Sequence, residues 1–342
     1  MHFLVWVFVM ATLSDVARHA GVSESSVSRI LNGQRKANRP SSRKQVQRVL
    51  AIAQELGYQP NLAARAMRSG RTHQIGVLFP ELSNPASGQT VEAIERALLK
   101  SGNRMVIGLS ERSIDRAREY LQGFGSGMVD GLINLDPVIS QEWLENHCGS
   151  IPVVTYNRLD GQSPAVMDHA AGMRMAYEHL VALGHRQIGL LSGPRSDLGA
   201  MSRINGFLSC ALSMPHTTPI EPVIDGDWEM DSGEAAASEV VAKGFTGMVC
   251  SNDLMAIGLM RGLRQLGKRV PEDCSIVGFD NTLLSKAGDP PMTTLSQALD
   301  EIAHRTVETL MAKIEGKDEL PVEAFPPRLI VRQSTMAVHA TP

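Results

Sequence analysis

The chain lacks the patterns on which most catalytic and metal-binding readings depend. Its 342 residues include four cysteines, Cys148, Cys210, Cys250 and Cys274, far apart and without a CxxC pair. That excludes a zinc ribbon or a disulfide framework and suits a reducing compartment, the cytoplasm. No GxSxG, GxxxxGKS/T, HExxH or GxGxxG occurs, so a nucleophile elbow, a phosphate loop, a zincin helix and a dinucleotide turn are all missing. The ten histidines are scattered, and His179 and His185 fall near a helix end without metal-ligand spacing. These absences argue against an enzyme and imply neither a cofactor nor a metal. Long hydrophobic runs are missing too. The apolar opening MHFLVWVFVM covers ten residues, well short of the roughly 20 that span a bilayer. It also has no basic residue ahead of it, as a signal peptide would. No membrane partner is expected, and translation is expected to begin at Met10, leaving residues 1–9 without a structural role.

What is present is a charge asymmetry. Residues 12–71 hold 11 Lys/Arg against 3 Asp/Glu, whereas the rest of the chain holds 22 against 33. A basic head on an acidic body is the footprint of a phosphate-binding module, which the overall pI near 6.4 conceals.

Within the head, Thr12 and Asp15 form a capping-box pattern, and Leu13, Val16, Ala17 and Ala20 recur at i, i+3, i+4 and i+7. Gly21 is placed for a left-handed helix end, Val22 for the turn, and Ser23 for the cap of a second helix with Val27, Ile30 and Leu31 inward. Two short helices joined by so few residues predict a helix-turn-helix. Glu24, Ser25, Ser28 and Arg29 then point outward near the start of the second helix, where base edges are read, and Arg29 is the natural guanine reader. A third helix is expected over roughly 40–56, with Val46, Val49, Leu50, Ala53 and Leu56 inward and Arg43, Lys44 and Arg48 outward.

TLSDVARHAGVSESSVSRILNG, followed by ELGYQPNLAARAMRSGRT, resembles the headpiece and hinge of LacI/GalR transcriptional regulators, and the resemblance runs from Thr12 to about Thr335. It implies a homodimer reading a pseudo-palindromic operator, with the DNA-binding headpiece at 10–59 and a hinge helix at 60–71. DNA contacts then fall on Ser23, Glu24, Ser25, Ser28, Arg29, Asn61, Arg65 and Met67, the last as the apolar wedge at the central base step. Most members carry Leu where this chain has Met67. They also carry Val-Ser where it has Asn38 and Arg39.

After Thr72 short apolar runs alternate with helical stretches: QIGVLFP, RMVIGLS, VDGLINLDP and PVVTYN, then QIGLLSGP, PVIDGDW, GMVCSND and CSIVGFD. Strand followed by helix, repeatedly, predicts parallel sheets, here in two similar lobes with a cleft outside the carboxyl ends of their strands. The family resemblance implies a periplasmic-binding-protein-like effector and dimerisation domain at 72–340. One lobe is placed at 72–160 and 293–323, the other at 161–292 and 324–340. Carried over by position, the effector contacts are Asn157, Arg203, Trp228, Asn252, Asp280 and Gln297, with Asp253 assigned to helix capping. Family members often have an aromatic pair after Asn-Pro, whereas Asn84-Pro85 here precedes Ala86 and Ser87.

An aromatic plane beside fixed donors and acceptors suits a sugar. The expected function is therefore a repressor whose operator affinity responds to a sugar. The alternatives are a nucleoside, a sugar acid or a phosphorylated sugar as effector, or a stand-alone sugar-binding protein, which would not need residues 12–71. No terminal heptad segment follows the last expected strand, which favours a dimer over a dimer of dimers.

Overall fold

A computed structural model describes residues 11–31, 40–59, 66–67, 69–159, 161, 163–214, 221–318 and 320–338. The chain divides into two compact units, with the division between Thr72 and His73. Residues 1–10, with the expected start at Met10, and 32–39 lie outside the described residues.

The first unit holds three helices, α1 (Leu13–Ala20), α2 (Glu24–Leu31) and α3 (Pro40–Glu55). Thr12 Oγ1 accepts from the Asp15 N–H at 3.2 Å, and Asp15 Oδ2 accepts from the Thr12 N–H at 2.9 Å, so the capping box is closed in both directions. Gly21 ends α1 at φ +65°, a conformation open to glycine at no steric cost. Ser23 starts α2 by accepting the N–H groups of Ser26 and Val27 on its carbonyl. Val16, Val27 and Val49, one from each helix, are fully buried and form the centre of this small core. Leu50, expected inward, is 47% exposed. The α3 stripe runs through Val49 and Ala53, and Leu50 lies one step around the helix from it.

The second unit contains two parallel sheets. In the first, β1 (Gln74–Phe79), β2 (Arg104–Leu109), β3 (Gly131–Asn134) and β4 (Val153–Thr155) are ordered β2-β1-β3-β4. A short parallel pair joins β5 (Ala165–Met167) to β11 (Glu323–Phe325). The second sheet contains β6 (Ile188–Ser192), β7 (Val223–Asp225), β8 (Gly247–Cys250), β9 (Ser275–Phe279), β10 (Thr293–Ser296) and β12 (Arg328–Ile330). Its order is β12-β10-β9-β8-β6-β7, and β12 runs antiparallel to its neighbour. Each sheet reverses its strand order once, beside β1 and beside β6. Ligands of open α/β sheets bind outside the strand ends at such reversals.

Helices cover the sheets: α4 (Pro85–Lys100), α5 (Ile114–Gly123), α6 (Gln141–His147), α7 (His169–Ala182), α8 (Leu198–Ser213), α9 (Met230–Ala242), α10 (Asp253–Gln265), α11 (Leu283–Ala287) and α12 (Leu299–Ile314). One boundary differs from expectation. The family resemblance puts residues 293–296 in the first lobe, yet β10 pairs with β9 through Thr293–Val277 and Leu295–Phe279. The chain crosses only after Ser296, and α12 then covers the first sheet, with Leu310 and Ile314 against Gly131.

Helices α9 and α10 touch backbone to backbone. A Cβ at Gly258 would stand 1.9 Å from the Met230 carbonyl oxygen, and one at Gly233 2.1 Å from that of Met255. Alanine at an ordinary helical glycine gains up to about 1 kcal/mol. Here the obstructing atoms are backbone and cannot rotate away, so the helices must separate. Gly258→Ala is expected to destabilise the second unit by roughly 1–3 kcal/mol, read as a lower midpoint in urea unfolding.

Candidate functional site

In the first unit, the start of α2 builds the candidate DNA-facing surface. Ser23, Glu24, Ser25 and Arg29 are exposed there and Ser28 is half-buried, because Val27 and Ile30 turn the opposite edge inward. Arg29 Nε donates to the Ser25 carbonyl at 3.3 Å, which lays the stem of the side chain along the helix. Arg43, Lys44 and Arg48 of α3 are exposed as well. Ala66, Met67 and Ser69 are helical, and the Met67 side chain is 88% exposed. Asn61 and Arg65 lie outside the described residues.

In the second unit, the carboxyl ends of both sheets face a cleft of about 820 Å³. Phe79, Tyr156 and Asn157 line it at the ends of β1 and β4, and Asn84, Ser87 and Thr90 line it from the start of α4. Pro194, Trp228 and Arg203 line it from the other lobe, with Gln297 at the crossing. Of the six residues expected to bind an effector, Asn157, Arg203, Trp228 and Gln297 are therefore on the wall.

Arg203 is the centre of this wall. It is 8% exposed, and its guanidinium carbon lies 4.1 Å from the centroid of the Phe279 ring and 5.1 Å from that of Trp228. Nε donates to His169 Nδ1 at 3.2 Å and Nη1 to the Ser251 carbonyl at 2.7 Å. Burial draws its pKa down, against the opposing pull of Asp280 and Asp197. Trp228 adopts φ +77° and Asn157 φ +49°, and both are held there. Asn252 Nδ2 donates to the Trp228 carbonyl at 2.7 Å, while Asn157 Oδ1 accepts from the Met167 N–H at 2.7 Å.

Asn252 and Asp280 stand behind the wall rather than on it. Asn252 is the cap of α10, with Oδ1 accepting from the Met255 N–H at 2.8 Å, so both ends of its amide are engaged. Asp253, assigned to capping from the sequence, does something else. Its carboxylate accepts from Thr282 N–H at 2.7 Å, Thr282 Oγ1 at 2.8 Å and Thr294 Oγ1 at 2.7 Å, tying α10 to the β9–α11 loop and to β10. Asp280 adopts φ +110° and accepts from Gln297 Nε2 at 2.6 Å. Burial, with the Asp253 carboxylate behind it, pushes its pKa up to about 7 against the pull of Arg203. His169, which the sequence reading missed, is on the wall and holds Arg203. Its segment MDHAAG reads as a plain helix start, and Asp168 does cap α7 by accepting from the Ala171 N–H. Glu81 and Arg112 were also unforeseen; they line the cleft as an ion pair at 2.9 Å. Among the described residues no group of His, Cys, Asp and Glu is arranged to hold a metal ion, and no helix is long and apolar enough to cross a membrane.

A basic helix-turn-helix unit followed by a two-sheet α/β body with a polar cleft defines a DNA-binding regulator with an effector domain. Comparison with known proteins gives the same class. Residues 12–61 match the model of bacterial regulatory proteins of the lacI family, and residues 177–335 match a periplasmic binding protein-like domain. The HTH-type transcriptional repressor PurR of Photobacterium profundum is 31% identical over 95% of this chain and 98% of its own length. The crystal structure of the lac repressor dimer bound to operator and the anti-inducer ONPF has a TM-score of 0.78 at 32% identity, covering 96% of this chain and 99% of that one. The complex of the transcriptional regulator CelR with cellobiose has a TM-score of 0.69 at 28% identity, covering 95% and 99%. The chain belongs to the lacI family of bacterial regulatory proteins.

The buried Asp280 makes stability depend on pH. Its pKa rises from an ordinary 3.8 to about 7 on folding, so the folded protein keeps a proton that the unfolded chain has already released. This contribution is fully present below about pH 4 and is lost as pH rises through about 7. Between about pH 4 and pH 7 Asp280 lowers stability as pH rises, whereas the imidazoles of His169, His179 and His185, whose pKa values burial draws down, act in the opposite direction. Asp280→Asn removes the first contribution alone, so the stability of wild type minus that of the variant is expected to fall between about pH 4 and pH 8 in thermal unfolding recorded across the range.

Proposed function

We propose that the protein is a homodimeric repressor acting in the cytoplasm on a pseudo-palindromic operator, with a neutral sugar as its effector. The observation that carries the sugar reading is the wall around Arg203, where the Trp228 indole stands beside the amides of Asn157 and Gln297. A ring with one apolar face and a belt of hydroxyls matches that combination. Planar bases are better held between facing rings, and the start of α4 offers Asn84, Ala86 and Ser87 instead. Sugar acids and phosphates would bring negative charge into a lining that already holds Asp197, Asp227 and Glu229, and where Arg112 is paired with Glu81. The relative complexed with cellobiose, whose fold this chain shares over nearly its full length, supports the same class.

Effector held between the lobes favours one of their relative arrangements. In a dimer that arrangement sets the spacing of the two hinge segments, and thereby whether they order on DNA. Reciprocity requires operator DNA to change effector affinity by the same factor.

Thermal unfolding in the presence of mono- and disaccharides, sugar acids, sugar phosphates and nucleosides tests the reading. A ligand at about 100 times its Kd adds roughly 2.7 kcal/mol of stability. A shift confined to neutral saccharides is expected, and a shift with nucleosides or sugar acids alone overturns the assignment. On the DNA side, Arg29→Ala is expected to cost roughly 1–3 kcal/mol at the operator while sparing non-specific binding, measured on both kinds of duplex at one salt concentration.

A further inference from the structure

Arginine can only donate hydrogen bonds, so the 3.2 Å contact from Arg203 Nε to His169 Nδ1 has a fixed direction. Nδ1 must be the bare, accepting nitrogen, and the ring proton must sit on Nε2. An imidazolium has no acceptor to offer at that position. Burial and the adjoining guanidinium charge both favour the neutral ring, holding the His169 pKa well below its usual value.

The Nε2–H donor so defined has no hydrogen-bond partner among the described residues, although His169 is only 5% exposed. Nε2 lies 3.8 Å from where a Cβ would stand at Gly199, and Gly199 and His169 both line the cleft. Arg203 is in the same condition. Among the described residues Nε and Nη1 are engaged and Nη2 is not, while the guanidinium carbon lies over the rings of both Phe279 and Trp228. Both residues line the cleft. Two adjoining donors, one neutral and one cationic, call for acceptor oxygen and reject an amine. A donor left buried and unpaired is costly, whereas a ligand oxygen satisfies it.

We propose that His169 is an effector-binding residue, whose Nε2–H acts with Arg203 Nη2 to hold a hydroxyl or ring oxygen of a neutral sugar. The assignment rests on the sugar reading above for the identity of the ligand, but the state of the imidazole is independent of it. Arg203 sets the tautomer of His169, and His169 in turn holds the guanidinium.

Nitrogen NMR of the imidazoles in the full-length, ligand-free protein tests the tautomer directly. A protonated Nε2 and a bare Nδ1, unchanged from pH 6 to 8, are expected; the opposite tautomer, or a ring titrating near pH 6.5, overturns the proposal. Calorimetric titration with maltose, cellobiose and lactose then tests the contact in wild type, His169→Gln and His169→Phe. The Gln variant retains an acceptor for Arg203 and a donor for the ligand and should bind within about three-fold of wild type. The Phe variant retains neither and should lose roughly ten-fold. In wild type, saturating saccharide should also shift the Nε2 resonance, a readout that does not depend on how either variant folds. Saccharide binding without that shift overturns the His169 contact alone. A wild type with the expected tautomer that binds none of the three saccharides overturns the sugar reading and, with it, the ligand class proposed here.

Discussion

A buried guanidinium held by rings and neutral acceptors is the constraint around which the effector domain is organised. Moving Arg203 out of water costs several kcal/mol unless the lost solvation is replaced. The replacement comes from four places in the chain: the Phe279 ring at the end of β9, the Trp228 ring after β7, the Ser251 carbonyl after β8 and His169 at the start of α7. Three strands of the second sheet and the helix that opens the second lobe must therefore be in register before this residue can be buried. The site and the fold of that lobe are in this sense one structure.

The acids near Arg203 show why no simple pair forms. Asp280 is within electrostatic reach, but it stands in front of a second buried carboxylate, Asp253, whose own oxygens are saturated by Thr282 and Thr294. Two adjacent buried anions repel, and the less solvated one holds its proton. The floor thus carries a fixed positive charge and an acid that titrates near neutrality. Gln297 joins Asp280 to the crossing, and Asn252 joins the start of α10 to the Trp228 carbonyl.

Much of this was readable from residue order. Several of the strands predicted after Thr72 end at a Pro, Asn or Asp that borders the cleft, among them Pro80, Pro137, Asn157, Pro194 and Asp227, since an apolar run can be continuous only while both faces are covered. The headpiece was equally legible, because caps and turns are local: Thr12, Asp15, Gly21 and Ser23 act on neighbours within a few positions. What escaped was non-local or ambiguous by one residue. TTLS could pair with either sheet, and only the contact with Val277 and Phe279 decides. Asn252 and Asp253 both cap helices well, and the sequence does not say which of two adjacent residues will do so. His169 is ordinary in its own segment and acquires a role only from a residue 34 positions away.

Because β10 remains in the second sheet, the chain crossing in that region falls at Ala298 and at Gln297, a residue that lines the cleft. A hinge point travels least when two bodies rotate, while the walls farthest from it travel most. A ligand of the kind proposed, held at Gln297, would gain its grip at the pivot and its leverage at the rim. Grip and leverage are separable quantities in such a lever. A molecule that satisfies the pivot but is too short to touch both rims would occupy the cleft silently, so occupancy and signal need not follow the same ranking of ligands.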